Sequence, residues 1–192
     1  MLVTGNYDRE RARAYAERWA FGRNPLFSDF SGIGGDCTNF ISQCVYAGSC
    51  RMNFTPVFGW YYLSADDRAP AFTGVEYFYN FIVGNGGIGP FGSESSADTV
   101  AVGDVIQLGR EAGDFYHTLL IVGRGEDGDL LVAAHSDDAY ARPLSSYTFD
   151  RVRYIRIEGV RYSLGAVGDC YEPLLAGVEL MIEGAGRYSL KE

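Results

Sequence analysis

A cysteine and two histidines are the residues of this chain whose types and spacing could support nucleophilic catalysis. Cys37 lies in GGDCTNFISQC, residues 34–44, where apolar residues recur at helical spacing from about Cys37 onward. A cysteine at a helix start feels the partial positive charge of unpaired N–H groups, which favours the thiolate, and these groups could also hold an oxyanion. The chain has only two histidines, His117 and His135. The pattern predicts Cys37 as a nucleophile and His117 as the base that later protonates a leaving amine.

The group that would orient the His117 ring is left open by the spacing. Both histidines lie at the ends of predicted strands. If the hairpin between them turns about Glu126, His117 and His135 face each other; if it closes with a two-residue Asp-Gly turn, His117 instead faces Asp138. We assign the orienting role to His135, with Asp137 or Asp138 as the alternative.

Three further side chains are assigned to substrate binding. Asp36 precedes the predicted nucleophile, Tyr116 precedes the predicted base, and Trp60 begins an aromatic run that could line a groove. Two of them also have purely structural interpretations, since Asp36 could cap the helix and Trp60 could belong to a buried aromatic cluster.

The same catalytic side chains also allow a metal site as an alternative. Cys37, His117 and His135 would be a reasonable ligand set for a catalytic zinc ion. None of the four cysteines sits in a CxxC pair, and they are too few and too unevenly spread for a disulfide scaffold. We therefore predict an enzyme without a metal or cofactor.

Three helices are predicted in the first half of the chain. The first is capped by Asn6 and ends near Gly22, the second begins at about Cys37, and the third is capped by Thr73 and ends at Gly84. The segment that follows, residues 84–96, has the composition of a flexible loop.

The second half of the chain is rich in β-forming residues. Strands are predicted at 105–108, 117–122, 129–134 and 152–157. Helices followed by a run of strands indicate an α+β fold in which N-terminal helices pack on an antiparallel sheet. We divide the chain into a domain at 1–158 and a C-terminal extension at 159–192 that packs on it.

Composition limits the classes of partner. The 192 residues are 47% hydrophobic, carry a formal net charge of −9 and have a pI near 4.7. Nucleic acid is excluded as a partner because phosphate binding needs clustered Lys and Arg, and a membrane span is excluded because there is no run of eighteen apolar residues. Residues 1–7 do not resemble a signal peptide, so the chain as written is expected in the cytoplasm, or outside it if a leader is removed from a longer parent.

The motif around Cys37 resembles that of a known family. GGDCTNFISQC is similar to the signature Asp-Cys-Thr-Asn-Phe followed by Ser-Gln of the bacterial putative amidase domain, which is grouped with the NlpC-like branch of papain-like cysteine peptidases. Four other stretches resemble the family pattern and extend the resemblance over roughly residues 7–157: YDRERARAYAERWAFGRNP, FTGVEYFYNFI, VGDVIQL and AAHSDDAYARPL.

The resemblance implies a papain-like α+β fold and a cysteine amidase. Cys37 would be the nucleophile, His117 the base and acid, and a polar residue on the following strand, His135 or Asp137, the third member. Relatives cut amide bonds, many of them in peptidoglycan stem peptides, so the implied substrate is a peptide or a peptidoglycan fragment, hydrolysed through a thioester. The alternative is a non-catalytic module of the same fold that binds cell wall or another protein. The oligomeric state is not predicted.

Overall fold

The chain folds into an antiparallel sheet with helices packed against it. The computed structural model describes residues 1–164, 168–182 and 186–189. The helices in this part of the chain are α1 (Arg9–Trp19), α2 (Cys37–Ser49), α3 (Pro70–Thr73), α4 (Val75–Gly84) and α5 (Tyr171–Ala176), with a short 3-10 turn at Leu144–Ser146. The strands are β1 (Leu2–Gly5), β2 (Gly89–Ser95), β3 (Val105–Gly109), β4 (Phe115–Arg124), β5 (Leu130–Ala134), β6 (Ala139–Pro143), β7 (Arg151–Ser163), β8 (Glu179–Ile182) and β9 (Gly186–Ser189).

Seven strands form the main sheet in the order β1-β7-β3-β4-β5-β6, with β2 also paired to β7. Every strand pair in it is antiparallel. The predicted α+β class, the antiparallel sheet and the four predicted strands are confirmed, within two residues at their ends except that β7 continues six residues beyond its predicted end. Strands β8 and β9 form a separate two-stranded sheet.

The prediction of a loop at residues 84–96 is wrong, because β2 occupies most of this segment. Gly89–Ser95 pairs along β7, with an irregularity between Phe91 and Gly92. A Cβ atom at Gly92 would collide with the carbonyl oxygen of Arg156, so the glycine permits the close approach of the two strands. Pairing with the long β7 strand therefore overrides the loop-like composition.

Two helices begin later than predicted. The N-cap of α1 is Asp8, not Asn6, and its carboxylate accepts a hydrogen bond from the backbone N–H of Arg11 at 3.0 Å. The predicted cap Thr73 instead ends the one-turn helix α3, and Gly74 occupies the N-cap of α4. Helix α2 begins at Cys37 as predicted.

Two apolar clusters occupy the two faces of the sheet. The larger one lies between the sheet and helices α1, α2 and α4, and it includes Phe40 and Leu120. The smaller one includes Leu119 and Ile121. Neighbouring residues of β4 thus alternate between the two clusters, as the period of a strand requires. Strand β4 therefore carries His117 and Thr118 towards different surroundings.

A disulfide ties the C-terminal part of the chain to the end of α2. Cys50 is the C-cap of α2 and is bonded to Cys170, 120 positions away in sequence. The Trp19 indole also donates a hydrogen bond to the carbonyl oxygen of Leu175 at 3.1 Å. Within the predicted extension at 159–192, residues 165–167, 183–185 and 190–192 lie outside the described residues.

None of the helices in the described ranges is long and apolar enough to cross a membrane.

Candidate active site

The loop before α2 turns sharply to place Cys37 at the helix start. Gly34 and Gly35 have φ values of 93° and 106°, in the left-handed region that favours glycine. The backbone N–H of the next residue, Asp36, donates to the Ser136 hydroxyl at 2.9 Å. The Asp36 side chain makes no capping hydrogen bond to the helix. The first turn of α2 is thus anchored to the segment that follows β5, not by a side-chain cap.

Cys37 and His117 line the same open cleft. The cavity has a volume of about 280 Å³. Its other lining residues come from the glycine loop, the start of β4, the segment after β5 and the segment after the 3-10 turn: Gly34, Gly35, Tyr116, Ser136, Asp137 and Tyr147. The fold therefore brings the predicted nucleophile and the predicted base to one cavity from opposite halves of the sequence.

Burial keeps the Cys37 thiol protonated at neutral pH. The side chain is 8% exposed, and burial raises its pKa. Hydrogen bonds from the backbone N–H of Thr118 and from the hydroxyl and N–H of Thr38 lower this pKa but do not offset the burial. The free thiolate expected from the helix start alone is therefore not the resting state.

Burial has the complementary effect on His117. It lowers the pKa of the imidazole to about 4, while Asp137 raises this pKa and Arg142 lowers it. The ring lies beside Tyr147, with 6.0 Å between ring centroids. Because the imidazole is neutral at pH 7, it has a free lone pair that can accept a proton from the thiol.

The lowered pKa of His117 predicts acid sensitivity of the fold. The folded-state pKa of about 4 lies below the ordinary value of 6.5, so the unfolded chain takes up this proton first as the pH falls. The neutral His117 ring therefore contributes to the free energy of unfolding above about pH 6.5. This contribution is lost as the pH falls towards 4, and it amounts to about 3 kcal/mol at most. Urea unfolding at pH 7, 5.5 and 4.5 should show a steeper loss of unfolding free energy in the wild type than in His117→Gln. The prediction would be contradicted if the free energy of unfolding of the two proteins changed equally with pH.

The predicted pairing of His117 with His135 is wrong. Strands β4 and β5 pair Leu120 with Ala133, and an irregularity follows between Ile121 and Gly123. Neither predicted hairpin register has this pairing. The extra residue in β4 shifts the pairing of the two strands by one position. His135 therefore does not lie opposite His117.

His135 instead supports the residue before the nucleophile. Its Nδ1 lies 2.7 Å from a carboxylate oxygen of Asp36, and its Nε2 lies 2.9 Å from the carbonyl oxygen of Trp19. The ring also stacks on Phe40 of α2, with centroids 3.8 Å apart. His135 and Asp36 are each 1% exposed. The histidine thus holds the beginning of α2 and takes no place in the cleft.

The described structure does not bring the three ligands of the alternative zinc site together. In residues 1–164, 168–182 and 186–189, no group of three His, Cys, Asp or Glu side chains is arranged to hold a metal ion. Cys37 and His117 share the cleft, but the His135 ring is turned towards Asp36.

Comparison with known proteins gives the family. The model of the putative amidase domain matches residues 6–157. The chain belongs to this family. A Bacillus subtilis (strain 168) protein described as "Uncharacterized protein YhbB" is 34% identical over 140 residues, which are 71% of this chain and 43% of that protein. The chain therefore spans less than half the length of this relative. No solved structure matches the present chain. Family membership suggests amide hydrolysis as the general activity.

The amidase domain brings one of the three predicted substrate-binding residues to the cleft. Tyr116 lines it and is 37% exposed. Trp60 is fully buried, and its indole donates to the Ser42 hydroxyl at 3.0 Å. Asp36 is buried, with its carboxylate bonded to His135. Trp60 thus belongs to a buried aromatic cluster, as its alternative interpretation had it. The side chain of Asp36 does not cap the helix, and its carboxylate is bonded to His135 instead.

Asp137 lies at the cleft but is paired with a different side chain. One of its carboxylate oxygens accepts from Arg142 at 2.6 Å, and the Arg142 guanidinium covers the Tyr147 ring at 4.0 Å. The described residues form no hydrogen bond to the His117 ring, and the charge that favours its imidazolium form is that of Asp137, which raises its pKa.

Sequence reasoning missed Ser136, Arg142 and Tyr147. Ser136 and Asp137 have φ values of 63° and 102°, a conformation that is costly for residues other than glycine. This strained backbone places the Ser136 hydroxyl on the N–H of Asp36. The stretch HSDD was the available signal for Ser136, whereas nothing in the local sequence indicated the contribution of Arg142 or Tyr147.

Proposed function

We propose that this amidase domain is a cysteine amidase or peptidase of the NlpC-like, papain-like type that hydrolyses an amide bond through a thioester on Cys37. The observation that carries the proposal is the single cleft lined by both Cys37 and His117. Family membership supports the general reaction.

Acylation begins with the Cys37 thiol and the His117 imidazole both neutral. As the Cys37 sulfur attacks the carbonyl carbon of the substrate, the neutral His117 ring accepts the thiol proton. Because the first N–H groups of a helix lack partners within it, those of α2 can donate to the developing oxyanion. The His117 imidazolium then protonates the leaving amine as the carbon–nitrogen bond breaks, which leaves a thioester.

Deacylation reverses the roles of the two side chains. His117 takes a proton from water, the resulting hydroxide attacks the thioester carbonyl, and the sulfur leaves as the acid product is released. The sulfur regains its proton from His117. An amine acceptor in place of water would give acyl transfer by the same steps.

Asp137 and His135, the two candidates for the third member of the site, have different roles in this proposal. Asp137 favours the imidazolium form of His117 by its charge, so it would stabilise this ring when the proton arrives. His135 acts through Asp36 on the position of the nucleophile. In this proposal Asp137 is the third member of the site and His135 is a positioning residue.

The proposed substrate is a peptide, with bacterial wall peptides as the leading class. Tyr116 offers a partly exposed ring at the cleft rim, and its hydroxyl is held by the carbonyl oxygen of Thr148 at 3.1 Å. A fixed aromatic ring can pack against the apolar part of a peptide side chain.

Product analysis tests the proposed function. The protein is incubated with soluble peptidoglycan stem peptides and with a mixture of unrelated peptides, and the products are identified by mass spectrometry. We expect paired new amine and acid products with the wild type and with Cys44→Ala, but not with Cys37→Ala. Saturable binding of the fragments without products would instead support the non-catalytic binding module.

A further inference from the structure

A chain of buried hydrogen bonds leads from Cys37 to an arginine on β7. The Thr38 hydroxyl lies 3.8 Å from the Cys37 sulfur and 2.8 Å from the Thr118 hydroxyl. The Thr118 hydroxyl lies 3.3 Å from the amide nitrogen of Gln107, and the amide oxygen of Gln107 accepts from Arg153 Nε at 2.7 Å. Thr38, Thr118 and Gln107 are fully buried, and Arg153 is 9% exposed.

The arginine fixes the direction of every hydrogen bond in this chain. A guanidinium can only donate, so the Gln107 oxygen must face Arg153 and the Gln107 amino group must face Thr118. The same amino group donates to the carbonyl oxygen of Val75 at 2.9 Å, which agrees with this orientation.

The two hydroxyl groups then have one consistent arrangement. The Thr118 oxygen accepts from Gln107, so its hydrogen points to the Thr38 oxygen. The Thr38 hydrogen is left for the Cys37 sulfur. If Thr38 donated to Thr118 instead, the Thr118 oxygen could accept both bonds, but the buried Thr118 hydrogen would have no acceptor among the described contacts, because its other neighbour is the amino group of Gln107. All donors therefore point towards the sulfur.

We propose that Arg153, Gln107, Thr118 and Thr38 form a directed donor chain that stabilises negative charge on the Cys37 sulfur during attack and thioester breakdown. Hydrogen bonds in series polarise one another, most strongly where the surroundings are dry and one end is charged. The chain passes through the core on the helix-facing side of β4, away from the open cleft. Gln107 and Arg153 are thus positioning residues that act on the nucleophile from a distance. This inference rests on the proposed role of Cys37.

Other charged and titratable groups around the two ends must stay unchanged for the test to be clear. At the sulfur these are Asp36 from the preceding loop, His117 from β4 and Asp137 from the segment after β5. At the guanidinium they are Glu76 from α4, 3.2 Å from an Arg153 nitrogen, and Glu94 from β2. The substitutions below replace none of these groups.

Substitution of Gln107 tests the direction of the chain. Gln107→Glu keeps the bond to Arg153 but turns the Thr118 hydrogen towards a carboxylate, and Gln107→Met removes the donor without adding charge. The rate of Cys37 alkylation by iodoacetamide is measured from pH 6 to 11 by peptide mass spectrometry. Both variants should shift the midpoint of the pH profile upward by about one unit, with alkylation at pH 7 about tenfold slower.

Matched controls distinguish an effect of the donor chain from a general disturbance of the core. Gln43→Glu places the same carboxylate in α2, where Gln43 accepts from the Tyr15 hydroxyl, and should shift the midpoint much less. Thr118→Ser keeps the hydroxyl and should keep the wild-type profile, whereas Thr118→Val should shift it as Gln107→Met does. Circular dichroism identifies any variant that fails to fold, and the remaining variants then decide the result.

The result that overturns the inference is a wild-type midpoint in folded Gln107→Met and Thr118→Val. A shift in Gln107→Glu alone would also overturn it, since that would show the effect of added charge and not of a lost donor. Because alkylation needs no turnover, these outcomes do not depend on whether the protein hydrolyses amides. Failure of the proposed function would instead appear as absent products in the wild type.

Discussion

Replacing Cys37 by Ser should lower amide hydrolysis by about 10³-fold or more. A neutral serine hydroxyl is a much weaker nucleophile than the cysteine sulfur, and the donors that face position 37 are arranged around sulfur. His117→Ala should lose a similar factor, because no other described residue of the cleft is a histidine that could accept the proton. The double variant should be hardly worse than either single one, since the two side chains act as a unit.

Cys44 provides the matched control for this loss. It is the second free cysteine of the described chain, lies two turns further along α2 and is fully buried, and burial raises the pKa of its thiol well above the ordinary value. Cys44→Ala should keep turnover within a few fold of the wild type after correction for the folded fraction. If Cys37→Ser retained activity while Cys44→Ala lost it, the assignment of the nucleophile would be wrong.

The disulfide should contribute substantially to the free energy of unfolding. Cys50 and Cys170 close a loop with a sequence separation of 120, and removing such a bridge typically costs about 2–5 kcal/mol. The double variant Cys50→Ala, Cys170→Ala should lose this amount in urea unfolding, and reductant should destabilise the wild type but not the double variant.

Thiol counting provides the check on that interpretation. The unfolded, unreduced wild-type protein should show two reactive thiols, which are Cys37 and Cys44. Four reactive thiols in oxidised preparations, or equal stability of the two proteins, would contradict a structural role for the bridge. Because Cys50 ends the helix that begins with Cys37, removal of the bridge should also reduce turnover.

Local patterns were sufficient to predict the elements that carry the two main residues. Helix α2 begins at Cys37 because its apolar residues recur at helical spacing, and β4 contains the predicted strand 117–122 because HTLLIV is a run of β-forming residues. The predicted start of α1 was less accurate, since Asn6 and Asp8 are both acceptable caps and only packing decides between them.

The contacts around the site could not be derived from local sequence. The position of His135 depends on one irregularity in β4, and a single-residue shift changes which face every later side chain occupies. The chain from Gln107 to Cys37 joins β3, β4 and α2 through contacts between distant parts of the sequence. The Cys50–Cys170 bridge is equally distant, so cysteine spacing alone gave no indication of it.

The most direct test of the account is to trap the acyl group on the enzyme. The protein is mixed with p-nitrophenyl acetate, quenched in acid within milliseconds to seconds, and mapped by peptide mass spectrometry. We predict a burst of nitrophenol with acetyl on Cys37 in the wild type and in Cys44→Ala, and a burst slower by at least about 10²-fold in His117→Ala. Acetylation at another residue, or an equally fast burst without His117, would contradict the proposal that these two side chains form the catalytic pair.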